Sequence, residues 1–215
     1  MFRKNVVIAC GGYRSETVGE DMELIVRMHR FLLERRLPYR VVFVPDPVCW
    51  TEAPETLRQL GRQRNRWHRG LIDSLLIHRA MFLNARYRQI GLLAIPYFVV
   101  FELLAPVVEF SGYLAIPLGV AFGLFDLGLL VTFFLVAVVY GVLFSLGAVL
   151  LEELSFHRYP NVRDLARLMA GALLENFGYR QLTVWWRLRG TLDYLRGVQS
   201  WGAMQRTGFL RGVKR

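Results

Sequence analysis

The chain has 215 residues, a formal net charge of +10 and a hydrophobic content of 54%. Two cysteines are too few for a disulfide scaffold, and the plentiful aromatic and branched apolar residues exclude a disordered chain. No Lys or Arg occurs between Arg88 and Arg158, which excludes a simple soluble domain. Because the basic residues flank an apolar middle and do not form one soluble basic face, no nucleic-acid partner is predicted.

The first part of the chain, residues 1–88, is predicted to lie in the cytoplasm. Its apolar run at 6–10 is too short to be the core of a signal peptide. Apolar residues recur at three- and four-residue steps over 19–36, which predicts an amphipathic helix with acidic residues in its first turn. A β-like run follows at 40–44 and predicts a short strand.

Two further segments of this part have a helical pattern. The first is predicted to run from about residue 54 to 69, with Thr51 as its N-cap. Residues 71–88 mix apolar and basic positions, and they predict an interfacial amphipathic helix on the membrane surface.

The rest of the chain is predicted to cross the membrane. A span needs roughly 20 apolar residues, and four candidates follow in order: 90–108, 110–125, 127–151 and 165–188. An even number of spans keeps the N-terminal region and the basic C-terminal tail both in the cytoplasm. The predicted location is therefore the inner cell membrane, with a multi-pass topology and membrane lipid as a partner.

Two polar clusters in the soluble part are candidates for chemistry. Glu20 and Asp21 follow Gly19 at a helix start, where adjacent acids suit a general base and the group that orients it. The alternative is that they simply favour the helix dipole, as acids in a first turn often do.

The second cluster consists of Gln63, Arg66 and Trp67, which share one helical face because they stand at positions i, i+3 and i+4. A guanidinium group suits a diphosphate, an indole offers a flat surface to a sugar ring, and an amide can bond a hydroxyl. The alternative is a basic helix beside the membrane with an interfacial Trp.

Together the clusters resemble the C-terminal part of processive, membrane-embedded family-2 glycosyltransferases, the group of cellulose, chitin, hyaluronan and poly-N-acetylglucosamine synthases. That family has a Thr-Glu-Asp motif, which is Gly19-Glu20-Asp21 here, and a Gln-x-x-Arg-Trp motif, which is intact here. The resemblance extends to these further segments: Gly11-Gly12-Tyr13, residues 50–57, Trp201-Gly202-Ala203-Met204 and Gly208-Phe209.

The resemblance implies a domain order. Residues 1–70 would be the C-terminal portion of the glycosyltransferase catalytic domain, and 71–88 the interfacial helix. Residues 89–188 would be a transmembrane region with about four helices, and 189–215 a basic cytoplasmic tail. The expected fold is a mixed α+β cytoplasmic fragment, the C-terminal half of a nucleotide-sugar transferase domain, followed by an α-helical transmembrane bundle.

The resemblance also implies inverting transfer of a sugar from a nucleotide sugar to a carbohydrate acceptor, a growing polysaccharide or a glycolipid. Asp21 would be the general base for the acceptor hydroxyl, with Glu20 beside it. Arg66 and Gln63 would hold the donor diphosphate, and Trp67 would form the floor under the acceptor sugar.

Complete enzymes of this family contain a nucleotide-binding half with an Asp-x-Asp pair that binds Mg²⁺ or Mn²⁺. No Asp-x-Asp occurs in this sequence. The chain is therefore expected to be an inactive fragment whose metal ligands lie elsewhere, with a separate N-terminal catalytic half as its partner. Two alternatives stay open: a non-catalytic membrane scaffold or polysaccharide-export subunit, and a basic membrane protein in which both motifs arose by chance.

Glu102 lies inside the first predicted span, where acids are rare and usually face a bundle interior or an aqueous path. In the resembling family it would line a polysaccharide channel. Equally open is a structural role, in which Glu102 pairs with Arg180 or with a neighbouring helix. The four histidines have no metal-ligand spacing, and no metal site is predicted for them.

Overall fold

A computed structural model describes residues 1–44, 49, 51–156, 159 and 161–198. One compact unit comprises Met1–Val107 and the described residues from Trp186 onward, and the other comprises Val108–Trp185. The helices of the chain are, in order, α1 (Lys4–Ala9), α2 (Glu20–Glu34), α3 (Leu57–Ile77), α4 (Ile90–Ala121), α5 (Leu127–Phe156), α6 (Val162–Leu174) and α7 (Arg180–Leu195).

The prediction of a mixed α+β fragment is wrong, because the described part of the chain contains helices and turns but no strand. Residues 40–44 are irregular, and the side chains of Val41 and Phe43 are 70% and 75% exposed. A strand needs a neighbour to satisfy its backbone N–H and C=O groups, and no described segment pairs with this run. Its alternation of residue types is therefore insufficient to form a sheet by itself.

Helix α3 begins later and ends later than the sequence pattern predicts. Thr56, and not Thr51, is its N-cap, and the Oγ1 of Thr56 accepts a hydrogen bond from the backbone N–H of Gln59 at 3.2 Å. The helix continues to Ile77 and is followed by two 3₁₀ turns, Arg79–Met81 and Ala85–Tyr87. Residues 71–88 are therefore not one helix, and their interfacial position stays a prediction.

The apolar core of the first unit explains why α3 continues so far. Leu71 and Leu75 are buried in one cluster with Met81, Tyr87 and Ile95. Apolar side chains of α2 and of the first turns of α4 pack around that cluster. Burial of apolar side chains stabilises such a cluster by about 25 cal/mol for each Å² removed from water, so the helix continues for as long as it contributes core residues.

Helices α2 and α3 cross at two glycines. A Cβ atom built on Gly19 would stand 2.6 Å from the Cα of Gly70, and a Cβ on Gly70 would stand equally close to the Cα of Gly19. Real Cβ atoms do not come so near to backbone, so a side chain at either position would push the helices apart. Gly19 therefore permits the close approach of the N-terminus of α2 to α3.

Helix α4 contains two π segments, Ile90–Ala94 and Phe98–Leu103, and bends at Leu104 just before Pro106. Proline has no N–H, so Pro106 leaves the carbonyl of Glu102, four residues earlier, without its helical donor. The guanidinium of Arg187 donates to that carbonyl. The bend is thus accommodated by a hydrogen bond from α7.

Within the described residues, α4 and α5 are the two helices long and apolar enough to cross a membrane, with 32 and 30 residues and mean hydropathies of 2.1 and 2.6. Core helices of soluble proteins are mostly buried, whereas only 17% of the most apolar window of α4 is buried and none of that of α5. These two apolar helices indicate a membrane location. The sequence predicted four spans, but 90–108 and 110–121 belong to one helix here.

In the second unit, the predicted fourth span is interrupted. Phe177 and Gly178 have non-helical backbone angles between α6 and α7, with φ of 89° at Gly178. Polar contacts are frequent here: Ser145 of α5 donates to the Glu175 carboxylate at 2.5 Å. Arg180 forms two hydrogen bonds to Glu109, at 2.9 and 3.0 Å.

Candidate functional site

Glu20 and Asp21 occupy the first turn of α2, directly after the glycine crossing. Asp21 is exposed, and its Oδ1 accepts a hydrogen bond from the backbone N–H of Met22 at 2.8 Å. Glu20 is half-buried. The unpaired backbone N–H groups of a first turn favour a negative charge, so Asp21 is held as an accessible carboxylate.

The Gln-x-x-Arg-Trp motif lies in the middle of α3. Gln63 and Arg66 are half-buried, and the Trp67 indole is 51% exposed. The guanidinium carbon of Arg64, three residues earlier, lies 4.9 Å from the centroid of the indole ring. This cation–π contact restrains the orientation of the ring while leaving surface available to a ligand.

The glycine crossing brings the two motifs together. It lies one residue before Glu20 on α2 and three residues after Trp67 on α3, so Trp67 and Asp21 both lie within about one helical turn of it. Gln63 lies seven residues from Gly70, about 10 Å along the helix axis. The helices that bear the two clusters, 42 residues apart between Asp21 and Gln63, therefore cross within the first unit.

A buried threonine holds the start of α2 against α3. Thr17 is 3% exposed, and its hydroxyl donates to the Asp73 carboxylate at 3.0 Å. The same oxygen accepts a hydrogen bond from the N–H of Gly19 at 3.3 Å. The hydroxyl absent from position 19, where the resembling family has Thr, is thus present two residues earlier in a structural contact.

A buried ionic cluster lies one turn further along α2. Glu23 is fully buried, with Arg27 at 3.0 Å, His78 Nε2 at 3.1 Å and Arg14 at 3.7 Å. Arg27 also donates to the carbonyls of Cys10 and Gly12 at 2.8 and 2.5 Å. Because His78 caps the C-terminal end of α3, this cluster links that end to the N-terminal part of α2.

The face of α3 opposite to the Gln-x-x-Arg-Trp motif packs against α7. Asn65 donates to Asp193 at 2.8 Å, and His68 Nε2 lies 2.9 Å from Thr191 Oγ1. Arg187 Nε donates to His68 Nδ1 at 3.5 Å, which leaves the Nε2–H of His68 to donate to Thr191.

Glu102 belongs to the same network. Its carboxylate forms an ion pair with Arg187 at 2.9 Å, and its carbonyl accepts from the same guanidinium. The structural role predicted from the sequence was a pair between Glu102 and Arg180. In the structure, Arg180 pairs with Glu109 instead. The ion pair favours the structural role for Glu102, and the channel role stays a prediction.

We expect the protein to lose stability between pH 6.5 and about 4 because His68 is neutral when folded. Burial, and then the charge of Arg187, lower the pKa of His68 from 6.5 to about 4. In this pH window the unfolded chain therefore binds a proton that the folded chain does not. The resulting loss at pH 4 relative to pH 7 is about 3 kcal/mol.

Thermal unfolding in detergent, measured from pH 4 to 8, tests this. His68→Gln keeps a donor toward Thr191 but cannot titrate, so its Tm should depend less steeply on pH below 6.5. Contributions of the other titratable groups cancel in the comparison. Identical slopes for both proteins would contradict the role assigned to His68.

In the described residues, no group of three His, Cys, Asp or Glu side chains converges. This part of the chain therefore contains no suitable ligand set for a divalent cation. His29 and His78 instead contact Tyr39 and Glu23, and burial lowers the pKa of both imidazoles. Family-2 glycosyltransferases commonly use divalent metals.

Several parts of the sequence resemblance lie outside the described residues: Trp50, Trp201-Gly202-Ala203-Met204, Gly208-Phe209 and most of the basic tail. Sequence reasoning missed other parts that the structure describes, namely Thr17, Glu23, Gly70, Asp73 and Arg187. An acid on the apolar face of a predicted helix was the one available signal for Glu23. The others depend on contacts between distant segments.

The comparisons with known proteins establish the family of the chain. The chain belongs to glycosyl transferase family group 2, whose profile matches residues 1–146. This range contains both motifs, α2, α3 and α4. The family match confirms the resemblance to family-2 glycosyltransferases.

Two relatives illustrate the match. The chain is 31% identical over 88 residues to a probable glycosyltransferase, YdaM, of Bacillus subtilis, covering 41% of this chain and 20% of that protein. It is 32% identical over 76 residues to a poly-beta-1,6-N-acetyl-D-glucosamine synthase of Staphylococcus aureus, covering 35% of this chain and 17% of that protein. The matches thus span a fifth or less of the relatives. No solved structure is significantly similar to the chain.

Proposed function

We propose that this chain provides the acceptor-side part of an inverting membrane glycosyltransferase, which transfers a sugar from a nucleotide sugar to a growing polysaccharide or a glycolipid. The observation that supports this most directly is the Gly19–Gly70 contact. There the helix start bearing Glu20 and Asp21 crosses the helix bearing the Gln-x-x-Arg-Trp motif. A base and a sugar platform need this proximity, because the attacking hydroxyl must lie close to both.

In the proposed reaction, Asp21 accepts the proton of the acceptor hydroxyl. The hydroxyl oxygen forms a bond to the anomeric carbon as the bond from that carbon to the diphosphate oxygen breaks. The electron pair leaves with the nucleoside diphosphate, and the anomeric configuration inverts because attack and departure occur on opposite sides. Arg66 stabilises the departing charge, Gln63 positions the diphosphate, and Trp67 supports the acceptor ring.

The proposed reaction requires a nucleotide-binding half with its Mg²⁺ or Mn²⁺, which the described residues do not provide. Neither an Asp-x-Asp sequence nor a described metal-ligand cluster occurs in the chain. We therefore expect the 215-residue chain to need that half, on the same or on a separate polypeptide, before it transfers sugar. Helices α4 and α5 would anchor it with the motifs and the basic tail on the cytoplasmic side.

A non-catalytic scaffold or export subunit is the second candidate function. The lack of an Asp-x-Asp pair favours it, because the same residues that cradle an acceptor could bind a polysaccharide without transferring it. The two functions differ in whether a labelled donor is consumed.

Trp67→Ala tests the proposed acceptor platform. Membranes from cells that express the protein together with its nucleotide-binding half are supplied with radiolabelled nucleotide sugars, one at a time, and incorporation into polymer and lipid extracts is counted. We expect Trp67→Ala to lower transfer about 10- to 100-fold without lowering Tm, since the indole is exposed. Leu76→Ala is the matched control, because Leu76 is an apolar residue of α3 that is 50% exposed.

Equal transfer by Trp67→Ala, Leu76→Ala and the unaltered protein would refute the acceptor role. Failure of every donor to react, with retained binding of an oligosaccharide by the unaltered protein, would favour the scaffold function.

A further inference from the structure

A cavity of about 910 Å³ lies between the end of α2 and the 3₁₀ turn that precedes α4. Three arginines line it, Arg36 on one side and Arg86 and Arg88 on the other, together with Tyr39 and a single acid, Glu34. All of these residues belong to the first unit. The volume is in the range of pockets that enclose small organic ligands.

The acid of this cavity already has its own partners. Glu34 accepts hydrogen bonds from Arg30 Nε at 2.9 Å and from the Tyr87 hydroxyl at 2.8 Å. The hydrogen bond from Arg30 is the main reason why the pKa of Glu34 lies below its ordinary value. Arg30 therefore forms the ion pair with Glu34, and the charge of Arg86 also lowers the pKa of that carboxyl. The three lining arginines still outnumber the single acid.

Those three guanidinium groups have no hydrogen bond or ion pair with a residue of the described chain. Arg88 is near enough to Tyr39 for its charge to oppose the rise in pKa that burial causes there. A planar guanidinium binds phosphate or carboxylate oxygens through two parallel N–H donors. The cavity thus presents unused donors whose preferred ligand is an oxyanion.

Arg36 and Arg88, on opposite walls of the cavity, both have positive φ angles, of 53° and 50°. At Arg36 this angle belongs to the C-terminal cap of α2, where the backbone N–H groups of Arg36 and Leu37 donate to the carbonyls of Leu33 and Leu32.

The cavity also lies beside an apolar helix. Arg86 and Arg88 stand four and two residues before Ile90, the first residue of α4, which is long and apolar enough to cross a membrane. Basic side chains at the end of such a helix lie at the level of lipid headgroups, where the surface of an anionic leaflet attracts them.

We propose that this cavity binds the phosphate-bearing headgroup of an anionic membrane lipid, with Arg36, Arg86 and Arg88 as the phosphate ligands. The site is separate from the proposed acceptor site and does not depend on sugar transfer. Its location at the start of α4 would hold the two 3₁₀ turns, and with them the end of α2, at the membrane surface.

Native mass spectrometry of the 215-residue chain in detergent tests the site. The chain is titrated with phosphatidylglycerol, phosphatidylcholine and inorganic phosphate. We expect one phosphatidylglycerol to bind with saturation, and the double variant Arg86→Gln with Arg88→Gln to weaken its binding about tenfold or more. The matched control, Arg58→Gln with Arg79→Gln, removes two exposed arginines outside the cavity and should leave that binding unchanged.

Equal losses in both double variants would overturn the proposal, because binding would then follow net charge and not the cavity. Equal affinity for phosphatidylcholine would also overturn it. If inorganic phosphate saturates the site at the same concentration, the ligand of the cavity is a free anion and not a lipid headgroup. If the double variant does not fold, the single variant Arg86→Gln, whose backbone is not left-handed, carries the same test with a smaller expected loss.

Discussion

Asp21→Asn is expected to lower sugar transfer about 100- to 10,000-fold, the range for loss of a general base. The side chain keeps its size, and Asn serves as well as Asp near a helix start, so the substitution removes the proton acceptor with little other change. Asp21 is exposed, and within the described chain its side chain accepts a hydrogen bond from the neighbouring backbone N–H of Met22. The effect should therefore fall on kcat, with KM and Tm close to those of the unaltered protein.

The same membrane assay measures this, with purified protein for Tm. Glu16→Gln is the matched control, since Glu16 is an exposed acid five residues before Asp21 and outside the proposed machinery. Full transfer by Asp21→Asn would remove Asp21 from the mechanism. A loss of activity accompanied by an equal fall in Tm would instead make the residue structural.

Glu23→Gln is expected to destabilise the protein by about 3–5 kcal/mol, the range for breaking a buried ion pair by removing one partner. The carboxylate is fully buried between Arg27 and His78, and its loss leaves the buried Arg27 charge without compensation. Because this cluster joins the crossing helices, transfer activity should fall together with stability.

Chemical or thermal unfolding in detergent measures the loss, and Glu34→Gln on the same helix is the matched control. Glu34 pairs with Arg30 at the same four-residue spacing as Glu23 with Arg27, but both members of that pair are part-exposed, Arg30 at 33% and Glu34 at 29%. Exposed pairs of this kind contribute about 0.2–1 kcal/mol. The prediction fails if the two variants lose similar amounts of stability.

The helical positions were largely predictable, because they follow from local patterns. Acids in the first turn and apolar residues at helical steps located α2 close to its observed bounds. The predicted strand at 40–44 was wrong because strand formation depends on a neighbour that a local pattern does not contain. Local pattern also predicted two candidate spans, 90–108 and 110–125, where the structure has one bent helix over Ile90–Ala121.

The residue types of the candidate site could be identified from the sequence, but their arrangement could not. Glu20, Asp21, Gln63, Arg66 and Trp67 stood out by chemistry and spacing. Their proximity depends on Gly19 and Gly70, which a sequence pattern does not pair. Glu102 likewise needed its tertiary partner, Arg187, which lies 85 residues further along the chain.

The sequence by itself determined the apolar and basic segments, the helical phase of each motif and the resemblance to family-2 glycosyltransferases, because periodicity, charge and residue type are local properties. Only the tertiary structure decided that the helices bearing the two motifs cross at two glycines. It also decided which residues form ion pairs with Glu23 and Glu102, and that three arginines line one cavity. These features arise from contacts between segments distant in sequence, and close packing and burial select them.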